Sequence, residues 1–327
     1  MVAGGGAYMV VRIVIALLLA AAPALADEVY PARPVKLVVP FPAAGPTDIV
    51  SRIVGQRMSE LMGQSFVIDN RGGAGGNIGA DLVAKATPDG YTIMMGTLAT
   101  HTLNTLVLPQ MPYDPVKDFE PIAQVLVNPN VLLVNPTLPV KDVQELIALL
   151  KANPGKYGYG SSGNATPLHL AGELFKLKTG VDMPHIPSRG SGPALNDLMA
   201  GQIMIMFETP ASSVGHIRAG KIRALAVNSQ QRCAALPEVP TMAEQGVPDY
   251  VTYTWNGLFA PAKTPKPIID KLNAAALQAI ADPAVKTKLT ELGTDVAGST
   301  PEGLRALVVS ELAKWAPIVK ASGARVD

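Results

Sequence analysis

The amino-acid sequence predicts an α/β protein of two lobes, each a mostly parallel sheet flanked by helices. After Asp27, short apolar runs alternate with segments of helical length and periodicity. Strands that alternate with helices form parallel sheets, because each crossover returns the chain to the same end of the sheet. Two such blocks occur, and the end of the chain returns to the first, which indicates a hinge between two lobes. The predicted parts are a signal peptide (residues 1–26), lobe 1 (residues 27–127 and 246–327) and lobe 2 (residues 128–245).

The predicted signal peptide rests on the order of residues at the N-terminus. Arg12 precedes the apolar run Ile13 to Ala22, and the small-residue site Ala24-Leu25-Ala26 comes directly before Asp27. The apolar run is too short to span a bilayer comfortably. We therefore expect an exported, soluble mature protein, with either Met1 or Met9 as the first residue translated.

The composition argues against several classes of function. The chain has 327 residues, a net charge of +1 and 48% hydrophobic residues, which suits two medium α/β domains. Its Lys and Arg are scattered, so we expect no nucleic-acid partner. Cys233 is the only cysteine, which excludes an intrachain disulfide. No cluster of His, Cys or carboxylate residues has the spacing of a metal site, so we expect no metal.

The first block opens with a strand, a tight loop and a helix start. Val35 to Val39 is an apolar run that predicts a buried strand, and the prolines from Pro40 to Pro46 cannot continue it. Thr47 or Asp48 is a suitable N-cap for the amphipathic helix that follows. The first N–H groups of a helix are unpaired and carry partial positive charge, so a loop of small residues there admits an anion. We interpret this loop as half of an anion-binding cleft.

The remaining segments follow the same rules. Apolar runs bounded by turn residues predict strands, and longer segments introduced by Gly, Pro or polar residues predict helices. The predicted strands are Phe66 to Asp69, Tyr91 to Met95, Ile122 to Val127, Val131 to Val134, Lys156 to Gly160, Met183 to Ile186, Ile203 to Phe207, Arg223 to Val227 and Tyr253 to Phe259. The predicted helices are Asn77 to Ala86, Val140 to Ala152, Pro167 to Lys178, Gly192 to Ala200, Lys266 to Ile280, Pro283 to Leu292 and Pro301 to Ala321.

A glycine-rich segment before the second helix resembles a dinucleotide-binding turn but does not match it. Gly73, Gly75 and Gly79 give G-x-G-x-x-x-G, which is one residue longer than the fingerprint. No acidic residue ends the next strand at Met94-Met95-Gly96. Nicotinamide cofactors are also not expected outside the cytoplasm. We interpret the glycines as a tight turn and expect no cofactor.

Lobe 2 contains a second loop of the same kind. The strand that ends near Gly160 runs into small and hydroxylated residues, and Pro167 suits the first turn of the next helix. Ligands bind at the carboxyl ends of strands in open parallel sheets. Any one of these residues alone is explained by helix capping, but two such loops facing each other favour binding. The predicted hydrogen-bond donors to an anionic ligand are Ser161, Ser162, Asn164 and Thr166.

The serines also raise the alternative of a secreted hydrolase. A nucleophile elbow has Gly two residues before and two after the serine. Ser161 has Tyr159 and Gly163 at those positions, and Ser162 has Gly160 and Asn164, so each meets half of the pattern. For His169, on the helix after the loop, a core or capping role is the better interpretation. We assign no catalytic residue, and an esterase using Ser161 or Ser162 remains the alternative from another class.

Four further residues are candidates because of their positions. Arg189 could bind a carboxylate through two N–H groups or lie solvated at the surface. Glu208 follows the strand Ile203 to Phe207, where it could accept a donor from the ligand or from a helix start. Thr97 and Thr100 follow the third strand in the same way.

A series of short motifs in a fixed order resembles one known family. The motifs are PFPAAGPTD (Pro40 to Asp48), NRGGAGGNIGA (Asn70 to Ala80), PDGYT (Pro88 to Thr92), PLHLAGELF (Pro167 to Phe175), GSGPALNDLMAGQI (Gly190 to Ile203), GKIRALAV (Gly220 to Val227), LPEVPTMAEQG (Leu236 to Gly246) and APAKTP (Ala260 to Pro265). From Tyr30 to its end the chain resembles the Bug or TctC family, the periplasmic solute-binding proteins of tripartite tricarboxylate transporters.

This resemblance implies a two-lobed periplasmic-binding-protein (Venus-flytrap) fold. Such a protein closes on a small carboxylate, a dicarboxylate or aromatic acid, and delivers it to the membrane permease; we expect a periplasmic monomer. Sensing without transport is a further alternative. The chain departs from the family pattern at Ala44, Ser188 and Glu208, where Gly, Tyr and Asp are common. The residues that the resemblance assigns to the ligand are Phe41, Ala43, Ala44, Gly45, Thr47 and Asp48 on one side, and Ser161, Ser162, Asn164, Ala165 and Thr166 on the other.

Overall fold

The structure, a computed structural model, describes residues 30–43, 45–188 and 190–324. The predicted signal peptide and the candidate residues Ala44 and Arg189 lie outside the described residues. The chain divides into two compact units, residues 1–32 and 33–327. Every strand and helix formed by the described residues belongs to the second unit.

The described residues form eleven strands. In chain order these are β1 (Val35–Val39), β2 (Phe66–Asn70), β3 (Thr92–Thr97), β4 (Phe119–Pro129), β5 (Val131–Val134), β6 (Tyr159–Ser161), β7 (His185–Pro187), β8 (Ile205–Glu208), β9 (Arg223–Val227), β10 (Tyr253–Pro261) and β11 (Asp295–Val296).

The same residues form ten α-helices. In chain order these are α1 (Pro46–Met62), α2 (Asn77–Ala84), α3 (Asn104–Val107), α4 (Val143–Ala152), α5 (Pro167–Thr179), α6 (Ser191–Met199), α7 (Pro210–Arg218), α8 (Lys266–Ala281), α9 (Pro283–Glu291) and α10 (Pro301–Ser322). A short 3₁₀ turn, Ala74–Gly76, precedes α2, and a π-helical turn, Ala99–Leu103, precedes α3. None of the described helices is long and apolar enough to cross a membrane.

The strands form two sheets, which confirms the predicted two-sheet α/β fold. The first has the order β11-β4-β10-β3-β1-β2 and the second the order β7-β6-β8-β5-β9. Pairing is parallel in β2-β1-β3 and in β7-β6-β8, where helical crossovers join the strands. The other strand pairs are antiparallel. Both sheets are therefore mixed and not mostly parallel as the sequence predicted, because β10 enters the first sheet from far along the chain and β5 enters the second directly from β4.

Several elements differ from the sequence prediction. α1 begins at Pro46 with Gly45 as its N-cap, so neither Thr47 nor Asp48 is the cap. Proline suits the first helical position, because its missing N–H would have no partner there and its φ is already helical. The short helices α3 and α7 and the strand β11 were not predicted. α7 has only nine residues, and β11 only two that form a strand by pairing with β4.

The chain leaves the first sheet for the second through one residue, Asn130, between β4 and β5. β1, β3 and β4 run in the same direction, since β10 is antiparallel to both β3 and β4. Their carboxyl ends therefore lie toward this crossing. β8 is antiparallel to β5 and parallel to β6, so β6 and β8 also end toward it. The loops that follow β1, β3, β6 and β8 consequently face one another where the two sheets meet.

A cluster of three buried polar residues holds this junction together. The Oγ1 of Thr252, just before β10, accepts hydrogen bonds from Asn130 Nδ2 at 3.2 Å and from Asn228 Nδ2 at 3.1 Å. Asn228 N also donates to Asn130 O at 2.7 Å, and Thr252 N to Asn228 O at 2.9 Å. All three residues are fully buried. Asn130 at the first crossing, Asn228 after β9 and Thr252, where the chain returns to the first sheet, are thus joined by direct hydrogen bonds.

Candidate ligand-binding site

The described part of the first loop, residues 40–43 and 45, is held in place by Asn70 at the end of β2. Asn70 Nδ2 donates to the carbonyl oxygen of Phe41 at 3.1 Å and to Asp48 Oδ1 at 3.0 Å. Arg52 Nε donates to Asp48 Oδ2 at 2.9 Å. The Asp48 carboxylate, which is 2% exposed, is therefore engaged in fixing the loop to α1. Its direct contact with a ligand stays a prediction.

The start of α1 offers a backbone donor beside this loop. The first hydrogen bond within the helix runs from Ile49 N to Gly45 O at 3.0 Å, and Pro46 has no N–H. The N–H of Thr47 therefore has no partner within the helix. Phe41, Gly45 and Thr47 are half-buried, whereas Ala43 is exposed. An anion at this position meets the positive end of the helix dipole.

The glycine-rich turn packs beneath the first loop. A Cβ added to Gly76, whose φ is +95°, would lie 2.7 Å from Thr100 Cγ2 and 3.2 Å from Phe41 Cζ. A Cβ on Gly72 would lie 3.3 Å from Pro42 N. Only glycine permits this close approach and this backbone conformation. The interpretation of these glycines as structural agrees with the geometry.

Thr97 and Thr100 close the end of β3 through their own hydrogen bonds. Thr97 N donates to Thr100 Oγ1 at 3.0 Å, and Thr100 N donates to Thr97 Oγ1 at 3.3 Å. Thr100 is fully buried and Thr97 is 8% exposed. Asn256, paired with Thr97 across β3 and β10, is 4% exposed, and its Nδ2 has no hydrogen-bond partner within the described residues. Asn256 thus adds a buried donor to this end of the first sheet.

In the second loop, the hydroxyl of Ser161 forms hydrogen bonds within the protein. Its Oγ lies 2.7 Å from His185 Nε2, donates to Gly163 O at 3.0 Å and accepts from Gly163 N at 3.1 Å. Ser161 is fully buried. Burial lowers the pKa of His185 to about 3, so the ring is neutral at neutral pH. The serine hydroxyl therefore orders the turn between β6 and α5.

Ala165 is fixed by a second histidine. Its backbone has φ of 57°, and its N–H donates to His169 Nδ1 at 2.9 Å. The rings of His169 and His185 stack with their centroids 3.8 Å apart. Burial lowers the pKa of His169 as well, and a neutral ring is required for Nδ1 to accept. His169 thus has the capping role that its position suggested, and the Ala165 N–H is used within lobe 2.

The side chains of Ser162 and Asn164 are the uncommitted polar groups of this loop. Neither has a hydrogen bond to another described residue; Ser162 is half-buried and Asn164 exposed. Thr166, by contrast, is the N-cap of α5: its Oγ1 accepts from His169 N at 3.3 Å and donates to Gly163 O at 2.8 Å. The loop therefore presents two side chains that can donate to a ligand.

Glu208 lies at the same end of the second sheet and is 1% exposed. Its Oε1 accepts from Thr209 N at 2.8 Å and from Thr209 Oγ1 at 3.2 Å, while Oε2 has no partner within the described residues. Burial raises the pKa of the carboxyl, and the hydrogen bond from Thr209 N opposes this rise. One oxygen of Glu208 thus receives a helix-start N–H, and the other is unsatisfied.

Sequence reasoning missed three residues of this site. Asn70, His185 and Asn256 fix or extend the two loops, and of these only Asn70 stands in one of the family motifs, as the first residue of NRGGAGGNIGA. The rule that selected Thr97 and Glu208, a polar residue at the carboxyl end of a strand, also selects Asn70. His185 and Asn256 stand within strands, and only the pairing of β7 with β6 and of β10 with β3 brings them to the site.

An open surface cavity elsewhere contains none of the candidate residues. It lies between the end of α7 and α9, with Arg218 and Lys286 in its wall. Within the described residues, no three His, Cys, Asp or Glu side chains are grouped closely enough to hold a metal ion.

The chain matches one family over most of its length. The family model described as "Tripartite tricarboxylate transporter family receptor" covers residues 50–324. The chain belongs to this family. The predicted resemblance to Bug and TctC proteins is thereby confirmed, and the receptors of this family are solute-binding proteins.

Solved structures agree with the family and with the predicted fold. An R. palustris protein solved with adipate is 40% identical, with a TM-score of 0.81, and the match covers 91% of this chain and 100% of that one. The periplasmic binding protein BugD is 35% identical, with a TM-score of 0.76 and coverage of 90% and 99%. MatC from Rhodopseudomonas palustris with bound malate is 36% identical, with a TM-score of 0.75 and coverage of 89% and 100%. The present chain, as a member of this family, has the two-lobed periplasmic-binding-protein fold.

Proposed function

We propose that this chain is an extracytoplasmic solute-binding protein that captures a small organic carboxylate, either a dicarboxylate or an aromatic acid, between its two lobes. It then delivers the ligand to the membrane permease of a tripartite tricarboxylate transporter. The observation that carries the proposal is the meeting of two helix-start loops, one before α1 and one before α5, at facing ends of the two sheets. Membership of the receptor family supports it, as do the relatives solved with adipate and malate.

In this proposal each loop binds one end of the acid through uncharged donors. The first turn of α1 provides the N–H of Thr47, and the second loop provides the side chains of Ser162 and Asn164. Closure of the lobes removes water, which strengthens each N–H to carboxylate hydrogen bond. The remaining proposed contacts are Phe41, Ala43, Ala44, Gly45 and Asp48 on the first side, Ser161, Ala165, Thr166, Arg189 and Glu208 on the second, and Thr97 and Thr100 at the end of β3.

The proposal includes the boundaries of the two lobes and the cellular location of the protein. Lobe 1 comprises residues 27–127 and 246–327, and lobe 2 residues 128–245, with Asn130 and Thr252 near the crossings. Residues 1–26 direct export to the periplasm, where the mature chain acts as a monomer. The periplasmic binding protein BugD supports this location.

We further propose that the chain is not an enzyme and needs no cofactor or metal. The distance of 2.7 Å between Ser161 Oγ and His185 Nε2 is that of a nucleophile and a base. However, Ser161 is fully buried, and both directions of its hydroxyl hydrogen bonding are used by Gly163. Loss of turnover of an ester substrate in Ser161→Ala would favour the hydrolase instead. A neighbouring permease gene would favour transport over sensing.

The test measures thermal unfolding of the mature protein with mono-, di- and tricarboxylates, aromatic acids, amino acids and neutral sugars. A ligand that binds only the folded state, at about a hundredfold over its Kd, adds roughly 2.7 kcal/mol and raises Tm. We expect the shift to be confined to one group of acids, to shrink in Ser162→Ala and to persist in Ser310→Ala, an exposed serine of α10. Shifts with sugars alone, or with no compound, contradict the proposal.

A further inference from the structure

Glu208 carries an unsatisfied oxygen at the base of the second loop. Oε2 is buried and has no hydrogen-bond partner within the described residues, whereas Oε1 has two. Most buried polar atoms in native proteins have a partner, because an unpaired one forfeits its interaction with water. A buried carboxylate oxygen without a donor is thus a position where an incoming donor is strongly favoured.

The strand register places this oxygen beside the loop that binds the ligand in the proposed function. Gly160 of β6 is paired with Met206 of the parallel strand β8. β6 ends one residue later at Ser161 and β8 two residues later at Glu208, so the second loop and Glu208 lie at the same edge of the sheet. Neighbouring strands are about 4.8 Å apart. Ser162 O also accepts from Gly190 N at 3.1 Å, which brings the start of α6 over the same point.

Several hydrogen-bond donors surround the carboxyl group of Glu208. Thr209 supplies an N–H and a hydroxyl to Oε1. The hydroxyls of Ser191, at the start of α6, and of Ser212, in α7, are also close enough to lower the pKa of the carboxyl and so oppose the effect of burial. No Lys, Arg or His among the described residues forms an ion pair with Glu208.

The facing end of the first sheet has an unsatisfied atom of the opposite kind. Asn256 Nδ2 is buried without a partner among the described residues and stands next to Thr97 in the sheet. An amide N–H recognises an oxygen of the ligand, and a carboxylate recognises an N–H or O–H. The first sheet thus offers a hydrogen-bond donor, Asn256 Nδ2, at the end where the second sheet offers an acceptor, Glu208 Oε2.

We infer that Glu208 is a specificity-determining residue that selects organic acids bearing a hydroxyl or ammonium group, the hydrogen of which is donated to Oε2. This inference rests on the proposed binding of a carboxylate between the lobes and narrows its substrate class. An acid with a plain methylene there leaves Oε2 unsatisfied, and a keto acid places a second acceptor against it. Discrimination against an analogue that lacks the required donor is characteristically strong in a buried site.

The experiment compares acids that differ only at this substituent. Calorimetric Kd values are measured on the full mature chain for succinate, malate, aspartate and oxaloacetate, then for glutarate, 2-hydroxyglutarate, glutamate and 2-oxoglutarate, and for benzoate and salicylate. We expect a hydroxyl- or ammonium-bearing acid to bind about tenfold or more tightly than its unsubstituted and keto analogues. Malate against aspartate, and their five-carbon equivalents, separates the two donors.

Variants then assign the discrimination to Glu208. In Glu208→Gln the side chain can donate, so the preference over the keto acid should fall about tenfold or reverse. Glu208→Asp keeps the carboxylate but moves its oxygens away from the ligand by one methylene, so it should also lower the preference for the donor-bearing acid over the keto acid. This second variant keeps the test decisive if Glu208→Gln folds poorly. Glu173→Gln is the matched control, since this buried carboxylate of α5 is held by Tyr159 and Lys176, and it should leave the ratio unchanged.

Two results overturn the inference. If the unsubstituted and keto acids bind as tightly as the donor-bearing ones, or if both Glu208 variants keep the wild-type ratio, Glu208 selects no donor, while the proposed carboxylate binding stands. If no acid of the panel binds, the proposed function fails and the inference fails with it.

Discussion

The backbone N–H of Ala165 donates to Nδ1 of His169 at 2.9 Å, from a residue with φ of 57°. In a planar trans peptide the N–H and the preceding C=O point in opposite directions. The carbonyl of Asn164 therefore points away from His169. One hydrogen bond thus decides which polar groups the second loop keeps and which it presents.

Replacing His169 by Phe should destabilise the protein and weaken ligand binding. Phe preserves stacking on His185 but leaves the buried Ala165 N–H without an acceptor, which costs about 1–3 kcal/mol. Urea unfolding gives the loss of stability, and calorimetry gives the affinity. His169→Asn, whose Oδ1 can approach the position of Nδ1, should recover part of both. Equal behaviour of the Phe and Asn variants would show that the acceptor does not matter.

Asn70→Ala should lower affinity for the ligand more than its effect on stability explains. The change removes the donor to Phe41 O and Asp48 Oδ1, so the first loop loses its fixed distance from α1. Asn273→Ala is the control, because Asn273 Nδ2 similarly bridges Ile122 O and Ser299 O. We expect both variants to lose about 1–3 kcal/mol of unfolding free energy and only Asn70→Ala to bind more weakly. A matching loss of affinity in Asn273→Ala would refute the role of Asn70.

Thr252→Val should weaken the junction between the sheets. It removes the oxygen that accepts from both Asn130 and Asn228, and leaves two amide groups unpaired in a fully buried position. We expect a loss of about 2–4 kcal/mol in unfolding free energy. The control is Thr264→Val, because the Oγ1 of this buried threonine makes one hydrogen bond, to Pro261 O. If both variants cost the same, the shared hydroxyl has no special role.

Acid should destabilise the protein through His101, which is buried, and His185, which is half-buried. Burial lowers the pKa of His101 and of His185 to about 3, below the usual value of 6.5. A depressed histidine pKa means that the unfolded chain binds more protons, so this contribution to stability is complete above pH 6.5 and is lost as pH falls toward 3. Each histidine contributes a slope of about 1.4 kcal/mol per pH unit in that window.

Urea unfolding at several pH values measures this slope. His185→Gln keeps an amide near the position of Nε2, beside Ser161, but cannot be protonated in this range. Its unfolding free energy should therefore fall less steeply between pH 6 and pH 4, by about 1.4 kcal/mol per pH unit. An unchanged slope would mean that His185 is not the titrating group.

Local pattern was sufficient to predict most elements of the fold. The strand Arg223–Val227 has the predicted bounds, and the helices from Pro167 and Lys266 begin where the sequence indicated. These segments have strong apolar periodicity and clear start signals, which are properties of the residues themselves. α3, α7 and β11 were missed because they are short, and β11 forms a strand only by pairing with β4.

The fold class, the two loops at strand ends and the family could be predicted from the linear pattern, because they depend on periodicity, helix-start chemistry and ordered motifs. Which polar groups in the loops already have hydrogen-bond partners depends on contacts made in three dimensions. Asp48, Ser161, Thr166 and the N–H of Ala165 are engaged by partners from the protein, of which Asn70 and His185 are distant in sequence. Hydrogen-bond partners of this kind are set by strand register and by the packing of helices, so a linear pattern can mark a polar residue but cannot say whether its hydrogen bonds remain open to a ligand.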